Sequence, residues 1–175
     1  YRSRFVQLPG ESTDWVGTYS YSLASSSNIG AILTSRTGDD YSSQLASIDG
    51  KWASGSHSLT GQFMSSQTDD SGGYRTDTFT GNAYFASYEY EDRKKTAVIA
   101  TRRYDPGFRA DLGFIGQVGY DKSLVGGQRT WYRDGKSIHR FSLYGDYDIT
   151  HRYDGQLLER ELEFQLGFQG AKQSS

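Results

Sequence analysis

The sequence predicts an all-β fold: the wall of an antiparallel transmembrane β-barrel, with about ten strands of a larger barrel. Three observations predict it. Apolar residues recur almost everywhere with period 2, and helical spacing is nearly absent. Mean hydropathy is −0.71 and hydrophobic residues make up only 35%, yet 14 Tyr and 9 Phe are too many for a disordered chain. That combination suits a sheet with one face toward apolar surroundings and the other toward water. With two prolines and no apolar run near the ~18 residues of a membrane helix, a helical span is excluded. A barrel is not, because its hydrophobicity is spread over every second residue.

The expected strands are bounded by Gly, Asp, Asn and Ser clusters and run 14–23, 28–36, 41–53, 57–67, 76–91, 95–104, 112–122, 128–134, 137–153 and 156–169. In the first, Trp15, Tyr19, Tyr21 and Leu23 share a face. In the third, Ala46, Ile48 and Trp52 oppose Asp49 and Lys51. In the seventh, Leu112, Phe114, Val118 and Tyr120 line up. Tight turns at Ser54-Gly55-Ser56 and Asp92-Arg93-Lys94 tend to alternate with longer loops at Thr68–Arg75 and Asp105–Asp111, as in barrels of the outer membrane.

The last hairpin carries the sharpest local signal. Asp154-Gly155 is the favoured pair for a two-residue type I′ turn, because both positions need positive φ. Setting Tyr153 opposite Gln156 pairs Tyr147 with Leu162, Gly145 with Phe164, Leu143 with Leu166 and Phe141 with Phe168 on one face. The other face then pairs Asp148 with Glu161, Asp146 with Glu163 and Thr150 with Glu159. A slip of one residue would destroy this segregation. Phe141 to Ile149 spans about 30 Å of strand, enough when tilted to cross a ~25 Å apolar band. His139 and Tyr153 then fall at the two rims, where amphipathic rings are favoured.

Alternation also suits a half-buried soluble sheet, so a lipocalin-like barrel or β-sandwich binding a small ligand on its aromatic face stays open. Strand length weighs toward the membrane, since 137–153 far exceeds the ~5–6 residues usual in globular proteins.

The stretch Asp105-Pro106-Gly107-Phe108-Arg109-Ala110-Asp111-Leu112-Gly113-Phe114 resembles the recurring N/D-P-G-F-R-A-D-L-G-F segment of a family of bacterial outer-membrane proteins. In that family a family-9-like carbohydrate-binding domain precedes a large β-barrel of unknown function. Ser27–Arg36 looks like the family's S-x-I-G-A-L-x-T-x-R strand, and Ala83–Tyr90 like its tyrosine-rich strand. The resemblance spans roughly residues 12–170 and covers part of the barrel only. It implies no catalytic residue, and any sugar-binding role tied to the carbohydrate-binding domain does not transfer. Within the central motif, Pro106 and Gly107 take the chain out of the sheet. Arg109, between Asp105 and Asp111, is expected to order the loop with charge-assisted bonds.

Composition limits the remaining chemistry. Without cysteine there is no disulfide, thiolate metal site or thiol nucleophile. A net charge of −2 offers no field for nucleic acid. His57, His139 and His151 lack metal-ligand spacing, so rim positions suit them better. The acidic loops Thr37–Asp40 and Thr68–Gly73 read as solvated turns, because neither has calcium-loop spacing. No Gly-x-Ser-x-Gly elbow raises a serine, and Leu124-Val125-Gly126-Gly127 leads into no helix, so it is no phosphate loop. The one open constellation is an acidic wall facing the lumen: Asp146, Asp148, Glu159, Glu161 and Glu163. Like charges on one face need water, cations or basic residues such as Arg102, Lys122 or Arg140 to compensate them. A carboxylate pair there also keeps a barrel hydrolase open as an alternative.

The expectation is therefore one segment, residues 1–175, of a β-barrel domain in the bacterial outer membrane. Its role would be that of a pore, a transport element or a structural platform, and it would not be an enzyme. Its partners would be outer-membrane lipid and the remaining strands of the same barrel or partner chains, with no nucleic acid, cofactor or metal. Tyr1–Phe5 and Gly170–Ser175 are both expected to be cuts within a longer chain.

Overall fold

The computed structural model describes residues 11–24, 26–71, 77–113, 115–133 and 138–170. The expectations for both ends of the chain and for Phe114 lie outside them. Nine strands form one antiparallel sheet in chain order: β1 (Thr13–Ala24), β2 (Ser27–Gly38), β3 (Tyr41–Ser54), β4 (His57–Asp70), β5 (Asp77–Glu91), β6 (Lys95–Tyr104), β7 (Tyr120–Tyr132), β8 (Ile138–Arg152) and β9 (Leu157–Gly170). There is no helix among the described residues. Every strand pairs with its chain neighbours, and β1 and β9 each keep one free edge, so the sheet is open rather than closed into a barrel.

Nine strands stand where about ten are expected, because 112–122 and 128–134 are not separate strands. The described residues between β6 and β7, 105–113 and 115–119, form a long loop, and β7 runs unbroken through Gly126-Gly127. Read as a break, this pair instead permits close strand approach. A Cβ on Gly126 would lie 2.7 Å from the Asp146 Cβ, and one on Gly127 would lie 2.7 Å from the Thr96 carbonyl oxygen. Leu112 and Val118 consequently sit in the loop, not on a strand face.

Along the last hairpin, every expected pair from Thr150–Glu159 to Phe141–Phe168 is observed. The turn that sets them differs. The Gly155 N–H donates to the Arg152 carbonyl at 2.8 Å, the Arg152 N–H donates to Gln156 at 2.7 Å, and Gly155 has φ of 88°. This is a three-residue loop with its glycine in the left-handed region, one residue longer than a type I′ turn. A register shift between Thr150 and His151 takes up the extra residue before the acidic pairs begin. Two offsets cancel, and the expected register results.

Register carries one apolar face across the whole sheet. Gly17 pairs with Leu33 and Leu33 with Ala46, Tyr21 with Ile29, Ile48 with Phe63, and Phe63 with Tyr84. Tyr88 pairs with Ile99, Ile99 with Val125, Val125 with Tyr147, and Tyr147 with Leu162. Among the described residues no second layer covers this face: Trp15 is 55% exposed and Phe164 71%. Burial falls on the opposite, polar face, at Tyr41, Ser43, Ser47, Ser66, Thr68, Ala83, Asp146 and Asp148. Apolarity and burial therefore fall on opposite faces of the sheet.

Candidate functional site

The polar face gathers two features. The first is the loop at 105–119, which folds back over the sheet instead of extending from its end. Asp105 starts it. The Asp105 N–H donates to the Asn82 carbonyl at 2.9 Å, its Oδ2 accepts the Asn82 N–H at 3.0 Å, and its carbonyl accepts the Phe108 N–H at 3.1 Å. Arg103 Nε lies 3.7 Å from Asp105 Oδ1. Phe108, 2% exposed, then lies against the backbone of Gly81, where a Cβ would come within 2.6 Å of the Phe108 Cα. Only glycine leaves that space.

Further along, the Arg109 N–H donates to Ser66 Oγ at 2.9 Å on β4, and Asp111 accepts the Tyr41 hydroxyl on β3. The Arg109 guanidinium stands 3.6 Å over the Phe79 ring on β5, a cation–π contact. The loop thus reaches from β6 to β3, roughly 14 Å at ~4.8 Å per strand. It is also tied back: the Gly119 N–H donates to Tyr104 at 2.8 Å, and the Tyr153 N–H donates to Gly119 at 2.9 Å.

Asp105, Arg109 and Asp111 are therefore anchored to three different strands. Charge-assisted bonds from Arg109 to the two aspartates are not seen among the described residues. Sequence reasoning missed the bed on which the loop lies, Tyr41, Ser66, Phe79, Gly81 and Ala83. A signal for it exists: Ser43, Ser66, Gly81 and Ala83 are small residues on the polar face of adjacent strands, and at Gly81 the missing side chain leaves room for the Phe108 backbone.

The second feature is the acidic wall. Asp148 pairs with Glu161, Asp146 with Glu163 and Thr150 with Glu159, and all six side chains project to the polar face. Asp146 and Asp148 are 8% and 5% exposed, while the three glutamates on the edge strand are exposed. Lys122 Nζ lies 2.9 Å from Asp148 Oδ1, an ion pair set off the hydrogen-bonding direction. Asp146 Oδ1 and Thr150 Oγ1 are buried without a hydrogen-bond partner. Arg102 sits opposite Lys122 on the same face, while Arg140, at the far end of β8, is opposite Gln169. Lys122 is the cation that reaches the wall among the described residues.

The histidines are dispersed. His57 Nδ1 is 2.7 Å from the Tyr88 hydroxyl on the apolar face, and His151 Nδ1 is 3.8 Å from Asp121. Among the described residues no three His, Cys, Asp or Glu side chains come together as metal ligands. Of the two stretches expected as solvated acidic loops, Thr37–Gly38 belong to β2 and Thr68–Asp70 to β4, with Thr68 buried, and Asp69 is taken up by the Thr78 hydroxyl at 2.8 Å and the Gln67 amide at 3.2 Å. The Asp40 carbonyl binds the Ser71 N–H at 2.8 Å and its hydroxyl at 3.0 Å, so the two loops brace each other. Gly72 and Gly73 lie outside the described residues.

Comparison with protein families, with curated proteins and with solved structures found no match to this chain.

Proposed function

We propose that this chain forms part of the wall of an outer-membrane β-barrel, with its apolar face against lipid and its polar face lining a lumen that the loop at 105–119 narrows. The observation that carries the reading is the inversion of the two faces. The chain spends its own loop on covering the polar face and leaves a nine-strand apolar face bare. A soluble barrel binding a ligand on its aromatic face would need those aromatics inside.

The course of the apolar band supports the same reading. Directly opposed residues lead from Tyr19 through Ala31, Ile48, Phe63 and Tyr84 to the charged Arg103 and Asp121, and then to His151. On the later strands the apolar side chains lie nearer the other end: Ile99, Val125 and Tyr147, then Leu143 with Leu166 and Phe141 with Phe168. The band slips by close to one residue per strand. At ~3.3 Å of rise and ~4.8 Å of spacing this is a tilt of about 30–35°. Barrel strands tilt by about 35–45°. The two longest intervals between strands follow β4 and β6, which end at the same end of the sheet, as the strands before the outer loops of such barrels do.

The role that follows is a pore or transport element whose lumen is acidic on one side and constricted by an anchored loop. The resemblance of the Asp105–Phe114 motif to an outer-membrane family points the same way. A test uses the protein in bilayers, with single fluorophores on Ile99 and on Lys122. Brominated lipid should quench the label at 99 strongly and the label at 122 weakly. Equal quenching at both, or none at 99, would sink the reading.

A further inference from the structure

We propose that the free edge of β9 pairs with a further antiparallel strand that lies outside Thr13–Gly170 and sets Lys or Arg side chains opposite Glu159, Glu161 and Glu163. The proposal rests on the barrel-wall reading. In lipid an open edge leaves backbone groups unsatisfied at several kcal/mol each, so something must cover both edges.

Strand parity says what cannot. Nine strands connected as a simple meander make β1 and β9 run in the same direction. Closing the sheet on itself would therefore need a parallel β1–β9 seam in a wall that is otherwise antiparallel. A second copy in the same membrane orientation meets the same obstacle, because its β1 would again run parallel to β9. An antiparallel β9–β9 contact between copies would invert one of them in the membrane and set glutamates against glutamates. An odd number of further strands between β9 and β1 removes the conflict.

The chemistry of the neighbour follows from the edge it covers. β9 has no proline, and it presents Leu162, Phe164, Leu166 and Phe168 to the apolar side, so its neighbour must alternate in the same sense. On the polar side Glu159, Glu161 and Glu163 have no cation within ion-pair distance among the described residues. Behind them Asp146 Oδ1 is buried and unpartnered. Carboxylates on two adjacent strands repel, and opposite charges directly across a strand pair relieve that repulsion. The side chains best placed to do so come from the next strand, and the long stems of Lys and Arg can reach past β9 toward Asp146.

The test places a photo-cross-linking residue at Glu161, and separately at Gln165, in the complete protein in its own membrane, and sequences the captured segment. A strand with Lys or Arg at alternate positions facing the glutamates is the expected product from both sites. With the probe at Gln165, the E161K/E163K double variant should give roughly tenfold less product than E161Q/E163Q, because it puts like charges opposite each other. Capture of Thr13–Ala24, capture of a strand without basic residues at those positions, or no capture at all overturns the inference. Quenching of a label at Phe164 by brominated lipid reports separately on the membrane reading. Quenching without the expected capture refutes the basic strand alone, and capture without quenching refutes the membrane wall.

Discussion

The two faces of this sheet are built by different rules. The apolar face is periodic and local: each strand contributes every second residue, and any two neighbours are related by register alone. Its side chains are mostly hydrophobes left exposed. The polar face is singular. Phe108 fits one glycine, the Arg109 N–H meets one serine, and Lys122 reaches one of two buried aspartates. Substitution on the apolar face should therefore be graded by depth, whereas on the polar face it should depend on the individual contact.

The largest expected effect tests the grading. Ile99→Arg places a charge in the middle of the apolar band and should cost about 2–4 kcal/mol in bilayers, while Tyr153→Arg at the rim should cost about 0–1 kcal/mol. Urea titration of the two variants in lipid vesicles, followed by tryptophan fluorescence, measures both. Equal losses would mean that the face is a packed core rather than a lipid surface.

Gly81→Ala tests the opposite rule. The added methyl meets the Phe108 backbone, which has no flexible end to move aside, so the loop must lift at a cost of about 1–3 kcal/mol. The sheet itself should survive. Limited proteolysis should then cut near Gly107 in the variant and not in the parent, and the barrel-wall proposal adds that conductance should rise. An unchanged cleavage pattern would show that the loop is not held by this contact.

A smaller effect on folding and a larger one on permeation are expected where Asp146 and Asp148 become Asn and Glu161 and Glu163 become Gln. Cation preference, read from reversal potentials in a salt gradient, should fall. It should also shrink in the parent as salt rises, since exposed charges are screened over about 8 Å at physiological ionic strength. An unchanged reversal potential would remove the wall from the conduction path.

The smallest effect belongs to the short-turn end. Asp92 accepts the Tyr90 hydroxyl at 2.7 Å and the Lys94 and Lys95 N–H groups at 2.6 and 2.7 Å. The Tyr90 hydroxyl above all, with these amides, holds its carboxyl below the usual carboxylate range. A group depressed in the folded state contributes above its unfolded pKa and loses that contribution as pH falls through the lower, folded value. Amide exchange at Lys94 should therefore quicken, beyond its intrinsic pH dependence, only on acidification below the ordinary Asp range. In Asp92→Ala it should be fast throughout.

Much of this was legible in the sequence because it is local. Alternation placed the apolar face on strands such as Trp15–Leu23 and Phe141–Ile149. Segregation of Leu and Phe from Asp and Glu set the β8–β9 pairing, even though the turn proved one residue longer than Asp154-Gly155 suggested. The register was over-determined by the faces, so a compensating shift beside the turn was cheaper than a slip along the strand. Failures came where residues answer to distant partners. Gly126-Gly127 reads as a break in isolation and is a close approach only because Asp146 and Thr96 lie beside it.

By itself the sequence determined the all-β class, the apolar face, the shared face of Glu159, Glu161 and Glu163, and the exit of the chain at Pro106-Gly107. Tertiary structure alone decided that the loop turns back onto β3, β4 and β5, that β7 is continuous, and that Asp146 and Asp148 are buried while their opposite glutamates are not. The physical reason is range. Period and turn chemistry act within a few residues, whereas the bed beneath Phe108 exists only after strands some 40 and 60 residues upstream have paired.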